Sequence, residues 1–361
     1  MMKAIFAMGR TSRNVGRTYG VYHMGQHTTV DFPVDLPVEK RGEHWYARAG
    51  ERVLKLSNLN KVFWPREGFT KADLLTYYFN ISPVMLPHLQ ERPLTLKRMP
   101  DGVGGAYFYE KNAPPHAPDW IRRMPVESSE EPGKITNHMA VCDVAEMLWV
   151  VNLGCVEFHP LHAKGEDQEH PSYAFFDLDP MHGATWEDVR EVAGLVHTML
   201  EQLGVPSYPK TSGATGMQIY IPLSTPVTYD EVRGFVGTLS DVIHEMAPEL
   251  TTVEWEVAKR GKSVFLDVNM NRKGANIAAV YSVRPEPGAT VSTPFSWDEL
   301  DEIRPTDWTV ETIFERVAEL GDPFQPVAAG PGADIRPLME QLGAKPRKAR
   351  LVPRQAKPTA G

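Results

Sequence analysis

Residues 173–180 read Tyr-Ala-Phe-Phe-Asp-Leu-Asp-Pro, an apolar β-type run that ends in two carboxylates, Asp177 and Asp179. Side chains on a strand repeat their direction every second residue, so both acids leave the same face with α-carbons roughly 6–7 Å apart. Such a pair can hold one or two hard divalent cations. Mg²⁺ and Mn²⁺ prefer oxygen ligands and keep positions open for substrate phosphates, which suits phosphoryl or nucleotidyl transfer. The same string also suits a strand running into a turn, so the reading depends on what accompanies it.

Two further segments accompany it. Ser263-Val-Phe-Leu-Asp267-Val-Asn269 places an acid inside a β-branched and aromatic run, where a charge is costly unless it is paired or ligates something. Asp267 is therefore a candidate third metal carboxylate, with a salt bridge to Lys259, Arg260 or Lys262 as the other way to satisfy it. Between the acidic strands lies Lys210-Thr-Ser-Gly-Ala-Thr-Gly216-Met-Gln-Ile-Tyr-Ile-Pro222. Its Ser-Gly-x-x-Gly turn can offer hydroxyls and backbone N–H groups to a phosphate, or can be a plain hairpin.

In this order, the three segments resemble the polymerase domain of the bacterial end-joining ligase D, a member of the archaeo-eukaryotic primase superfamily. The likeness runs from near Glu51 to about Pro326. It includes Leu56-Ser-Asn58-Leu-Asn-Lys61-Val-Phe-Trp-Pro65, Arg92-Pro-Leu-Thr-Leu-Lys97-Arg98, Glu157-Phe-His159-Pro160 and Tyr281-Ser-Val-Arg284. The resemblance implies an α+β primase-polymerase fold, with an RRM-like catalytic sheet backed by helices and a packed N-terminal α/β module. It implies that Asp177, Asp179 and Asp267 bind two Mn²⁺ or Mg²⁺ ions, and that Lys97, His159, Ser212, Gln218, Arg260 and Arg284 contact a nucleoside triphosphate. It further implies a pocket of Asn58, Lys61 and Lys71 for a DNA 5′-phosphate, and stacking of Phe108 and Tyr109 on a template strand. His159 and His162 also form His-x-x-His, but no third and fourth ligands lie at a spacing that suits zinc.

Departures from the family pattern are specific. Thr215 and Gln218 stand where the family loop commonly has Lys and His, removing one cation and one titratable donor; Asn276, Val280 and Leu161 replace a frequent Thr, Pro and Trp. Altered nucleotide affinity or selectivity is expected from the loop changes. With no Lys-x-Asp-Gly adenylation motif, the expectation is a stand-alone monomer that relies on a separate ligase and a Ku-like end-binding protein. Its substrates would be gapped or broken DNA and ribo- or deoxyribonucleotides. A de novo primase and a noncatalytic end-bridging factor are the alternative readings.

Composition bounds rather than finds this answer. The 361 residues are 42% hydrophobic, enough for a substantial core. A net charge of −8 means that any DNA contact comes from local patches. Cys142 and Cys155 form no motif, no apolar stretch is long enough for a membrane span, and Arg10, Arg13 and Arg17 interrupt any signal-peptide core. A cytoplasmic, nucleoid-associated bacterial protein is expected.

The expected organisation is a basic N-terminal extension over 1–50, an N-terminal DNA-binding module over 51–168, a catalytic module over 169–326 and a disordered basic tail over 327–361. Helices are expected to start at Thr70 with Asp73, Thr185 with Asp188, and Thr228 with Glu231, each a capping-box pattern. Ser82-Pro83 is expected to end the first and Gly204 the second. Strands are expected over 217–222, 264–268 and 277–281.

Overall fold

The computed structural model describes residues 33–350, apart from 129, 130 and 132. In chain order its strands and helices are β1 (Val38–Arg41), β2 (His44–Ala49), β3 (Arg52–Leu56), β4 (Val62–Trp64), β5 (Phe69–Thr70), α1 (Lys71–Leu89), β6 (Leu94–Arg98), β7 (Phe108–Glu110), β8 (Arg122–Glu127), β9 (Ile135–Ala140), α2 (Val144–Asn152) and β10 (Cys155–Pro160). There follow β11 (Tyr173–Pro180), α3 (Trp186–Gln202), β12 (Tyr208–Thr211), β13 (Met217–Pro222), α4 (Tyr229–Met246), β14 (Thr251–Thr252), β15 (Val264–Leu266), α5 (Ile313–Leu320), α6 (Gln325–Ala329) and α7 (Arg336–Leu342). The result is an α+β fold. Among the described residues no helix is long and apolar enough to cross a membrane.

Two sheets frame the molecule. The first runs β10-β6-β9-β8, with β7 also on β6; the second runs β12-β13-β11-β15-β14 and is antiparallel except at β14-β15. Strand alternation explains where the second sheet sits. On β11, Ala174, Phe176 and Leu178 join Met217, Ile219 and Ile221 of β13 in a core under α3 and α4. Tyr173 and Phe175 point the other way, into the core built on α1, α2 and the first sheet. Asp177 and Asp179 continue that second face, so the same period of two that anchors one end of β11 between the layers delivers both acids to the gap at its other end.

All three capping boxes form as the sequence suggests, at Thr70, Thr185 and Thr228, and 217–222 is a strand. Three expectations fail for identifiable reasons. Helix α1 does not stop at Ser82-Pro83 but continues to Leu89. Pro83 has no N–H for the carbonyl of Phe79, and the Ser82 hydroxyl donates to that oxygen instead at 2.8 Å. The strand expected over 264–268 ends at Leu266, because Asp267 turns inward to accept from the Asn269 backbone N–H and caps a short 3-10 helix over Val268–Asn271. Residues 277–281 are irregular rather than a strand. Tyr281 there holds a φ of +63°, fixed by its N–H to Ser292, its hydroxyl to Asp322, and the Tyr77 hydroxyl on its carbonyl.

The domain boundaries are corrected too. β1 and β2 of the supposed extension form one meander with β3, so the 50/51 boundary cuts a three-stranded sheet. Residues 327–350 are not a disordered tail. Ile335 and Met339 bury against the α3/α4 core, and Arg347 pairs with Asp241. The basic leader over 1–30 and the tail residues beyond Arg350 lie outside the described residues.

Candidate active site

The three adjacent strands β12, β13 and β11 place Lys210, Gln218 and Asp177 directly opposite one another. The side chains follow that line. Lys210 Nζ donates to Gln218 Oε1 at 2.8 Å and to Ser292 Oγ at 2.8 Å, and Gln218 Nε2 donates to Asp177 Oδ1 at 2.8 Å. Both ends of the Gln218 amide thus bond within the protein, and one of its two Nε2 hydrogens orients the carboxylate. Burial lowers Lys210 to about 7, helped by Arg284 and opposed by Asp177.

Asp177, Asp179 and Asp267 crowd one another. Asp267 donates its backbone N–H to the carbonyl of Asp177 at 3.0 Å, which joins the ends of β11 and β15. Burial, then Asp179, pushes Asp177 well above the usual carboxylate range; burial and Asp267 push Asp179 to about 6, and burial raises Asp267. The hydrogen bonds that Asp177 and Asp267 accept come from a neutral amide and a backbone N–H. Of the lysines that could have neutralised Asp267, Lys259 pairs with Glu256, and the aliphatic stem of Lys262 packs against Gly183. Arg260 is close enough to lower both Asp179 and Asp267, while its guanidinium donates to the carbonyls of Glu254 and Trp255 and lies 3.4 Å over the Phe265 ring.

Among the described residues, no group of three or more His, Cys, Asp or Glu side chains is arranged, as it stands, to hold a metal ion. The donor chemistry nevertheless fits a divalent cation: three oxygen-bearing, mutually repelling carboxylates suit a Mg²⁺-type site that completes its shell with substrate oxygens.

The glycine loop closes on this strand. Ser212 Oγ accepts from the N–H groups of Ala214 and Gly216, at 3.1 and 2.9 Å. A Cβ on Gly216 would stand 2.6 Å from the Leu178 carbonyl and 3.3 Å from Asp179 Oδ1, so only glycine lets the loop approach the acids this closely. Gly213, at φ +72°, packs as tightly against Arg284 and the Ser292 backbone.

A second cluster faces the loop from β10. Glu157, which sequence reasoning did not single out, gathers three of the expected nucleotide contacts: Lys97 Nζ at 2.8 Å, His159 Nε2 at 2.6 Å and Arg284 Nε at 3.5 Å. Burial alone would raise Glu157, but His159, Arg284 and Lys97 bring it down to about 2. As an acceptor-only carboxylate it requires that His159 Nε2 carry the hydrogen. Burial lowers His159, so its imidazole is neutral and Lys97 and Arg284 hold the positive charge. Arg284 also donates to the Ser212 carbonyl, linking the two sheets. The readable signal was Glu-x-His on a strand, one face, the same pattern as Asp-x-Asp.

The remaining expected residues form two outlying groups. Lys61 N donates to the Asn58 carbonyl and Lys71 N to the Lys61 carbonyl, so a turn holding Asn58 and Lys61 is bonded to Lys71 at the N-terminus of α1. Asn58 holds φ +55°, a left-handed conformation that Asn tolerates. Lys71 is not surface exposed. It is buried, donates to the carbonyl and hydroxyl of Ser57, and is lowered to about 8 by burial with Lys61 and Arg98 nearby. Lys61 pairs with exposed Asp101. Phe108 and Tyr109 are not core: they are 45% and 51% exposed, and Tyr107, 56% exposed, extends the row. Arg98 lies over Phe108, Lys97 over Tyr107, and Tyr109 meets His159 edge-on at 5.7 Å.

Fold and site together define a cluster of three acids flanked by a glycine loop and a cation cluster on an α+β scaffold. A family model for the "LigD, primase-polymerase domain" matches residues 70–324, and the chain belongs to that family. It is 31% identical over 79% of its length to the multifunctional non-homologous end joining protein LigD of Mycolicibacterium smegmatis, and 31% identical over 75% of its length to the bifunctional LigD of Bacillus subtilis. The matches cover 37% and 43% of those relatives, so the chain spans about two fifths of their length. Among solved structures, the polymerase domain of Mycobacterium tuberculosis ligase D in complex with DNA superposes with a TM-score of 0.71 at 28% identity, covering 76% of this chain and 98% of that one.

Proposed function

We propose that this chain is a metal-dependent nucleotidyltransferase that extends a primer 3′-hydroxyl in short DNA gaps or at double-strand break ends, preferring ribonucleotides and responding to a downstream 5′-phosphate. The observation that carries this reading is the cluster of buried Asp177 with half-buried Asp179 and Asp267, two of them held by neutral donors, beside a Ser-Gly loop and a Lys97/Arg284 cation pair. Two Mn²⁺ or Mg²⁺ ions held by Asp177, Asp179 and Asp267 would activate the primer hydroxyl and neutralise charge at the attacked phosphate. The chain's own groups do the positioning. Gln218, locked by Lys210, fixes the Asp177 rotamer; Lys97 and Arg284 supply positive charge for a triphosphate; neutral His159, its Nε2–H committed to Glu157, would accept at Nδ1, as from a sugar hydroxyl; and Ser212 shapes the loop. Asn58, Lys61 and Lys71 would take the 5′-phosphate at the start of α1, where the helix dipole also favours an anion. Tyr107, Phe108 and Tyr109 offer exposed rings for unpaired bases. A separate ligase would seal the product and a Ku-like protein would present the ends, in a bacterial cytoplasm.

The test is primer extension on a short-gapped DNA with Mn²⁺, comparing ribo- with deoxyribonucleotides, with and without the downstream 5′-phosphate. The expected result is phosphate-stimulated incorporation that Asp177→Ala abolishes. Tight gap binding with no incorporation of either kind of nucleotide would instead leave a bridging factor.

A further inference from the structure

The stretch after residue 324 lies beyond the family match, yet its end returns to the rim of the acid site. Lys345 and Pro346 cross α4 at Gly234, where a Cβ would stand 2.3 Å from the Lys345 carbonyl oxygen, and the Arg347 guanidinium lies on Gly237. Arg347 N donates to the Asp230 carbonyl at 2.8 Å, and its side chain pairs with Asp241 at 2.6 Å. Three residues on, Arg350 is held by both atoms of one amide: Arg350 N donates to Asn269 Oδ1 and Asn269 Nδ2 donates to the Arg350 carbonyl, each at 3.0 Å. The backbone N–H of the same Asn269 donates to Asp267 Oδ1 at 3.0 Å. One residue therefore grips the C-terminal segment with its side chain and a candidate metal carboxylate with its main chain.

We propose that residues 345–350 are a built-in brace for the catalytic centre, and that Asn269 is a positioning residue through which this segment fixes Asp267 for metal binding. The glycines are the reason the brace fits. In the middle of a long helix Gly234 is a costly choice, and the carbonyl packed where its Cβ would be accounts for it. Support of a ligating carboxylate by its own hydrogen-bond partners commonly sets metal affinity as strongly as the ligand itself. The inference rests on the metal reading above and adds that the segment outside the family match tunes it.

The experiment uses the full chain and two readouts, Mn²⁺ affinity by titration calorimetry and trypsin cleavage after Arg347 and Lys348. Gly234→Ala introduces a better helix former while pushing the segment off, so its helix is not weakened. Asn269→Ala keeps the backbone N–H to Asp267 and removes only the clasp. Both variants are expected to bind Mn²⁺ roughly 10-fold more weakly with melting temperatures near the parent's, and Gly234→Ala is expected to be cleaved faster. Faster cleavage with unchanged Mn²⁺ affinity overturns the brace, and so does unchanged cleavage in Gly234→Ala, since the glycine groove would then not hold the segment. Unchanged affinity in Asn269→Ala overturns it independently. Absence of Mn²⁺ binding in the unsubstituted chain removes the metal reading itself, and the brace with it.

Discussion

Asp179 shows how a crowded, half-buried carboxylate taxes the protein that carries it. Burial and Asp267 raise it to about 6 from 3.8. Between those values the folded chain keeps a proton that the unfolded chain has lost, so this group's contribution to stability falls as pH rises through the window and stays low above it. Asp179→Asn removes that penalty. The metal-free variant is expected to gain about 1–3 kcal/mol over the parent at pH 7.5, and nothing near pH 3.5, while its incorporation rate falls by orders of magnitude. Thermal melts in EDTA across that pH range check the first part; a pH-independent difference would mean the carboxylate charge is not its source. Asp177 and Asp179 were legible because a period of two is a local property of the string. Glu157 was in plain view beside His159 but could not be weighed, since its partners Lys97 and Arg284 reach it only through tertiary structure.

Helix α1 marks the limit of local rules at the scale of an element. Its start was readable from Thr70 and Asp73, because a capping box is written within four residues. Its continuation through Pro83 was not, because the string Ser-Pro looks the same whether the serine begins a turn or fills the hydrogen bond that proline vacates. The hydroxyl of Ser82 on the Phe79 carbonyl decides between them. Ser82→Ala should therefore leave a half-buried carbonyl without this donor and lower stability by about 1 kcal/mol, measured by denaturant unfolding. Ser82→Thr, which keeps the hydroxyl, should recover most of that loss. The strands show the same limit: 217–222 carries its own apolar pattern, whereas Asp267 ends β15 early for the sake of a hydrogen bond to Asn269.

At the scale of the molecule, the two sheets are joined by aromatic packing at one end of β11 and by charge at the other. Tyr173 and Phe175 meet Tyr220 and Phe324 in the core shared with α1, which is why no module boundary exists at residue 168 to be found in composition. At the acid end the junction is Glu157, which holds Lys97 from the first sheet and Arg284 from the segment bonded to the Ser212 loop of the second. Glu157→Gln leaves two largely buried cations facing each other without their anion. Breaking such a pair costs roughly 3–5 kcal/mol, so the free variant should melt well below the parent. A nucleoside triphosphate, if it lodges against Lys97 and Arg284, replaces the missing charge, and ligand binding stabilises in proportion to its affinity for the folded state. The expected outcome is that saturating GTP raises the melting temperature of Glu157→Gln more than that of the parent, even as turnover drops because His159 has lost its orienting partner. An equal shift in both proteins would place the triphosphate elsewhere, and would confine Glu157 to holding the two sheets together.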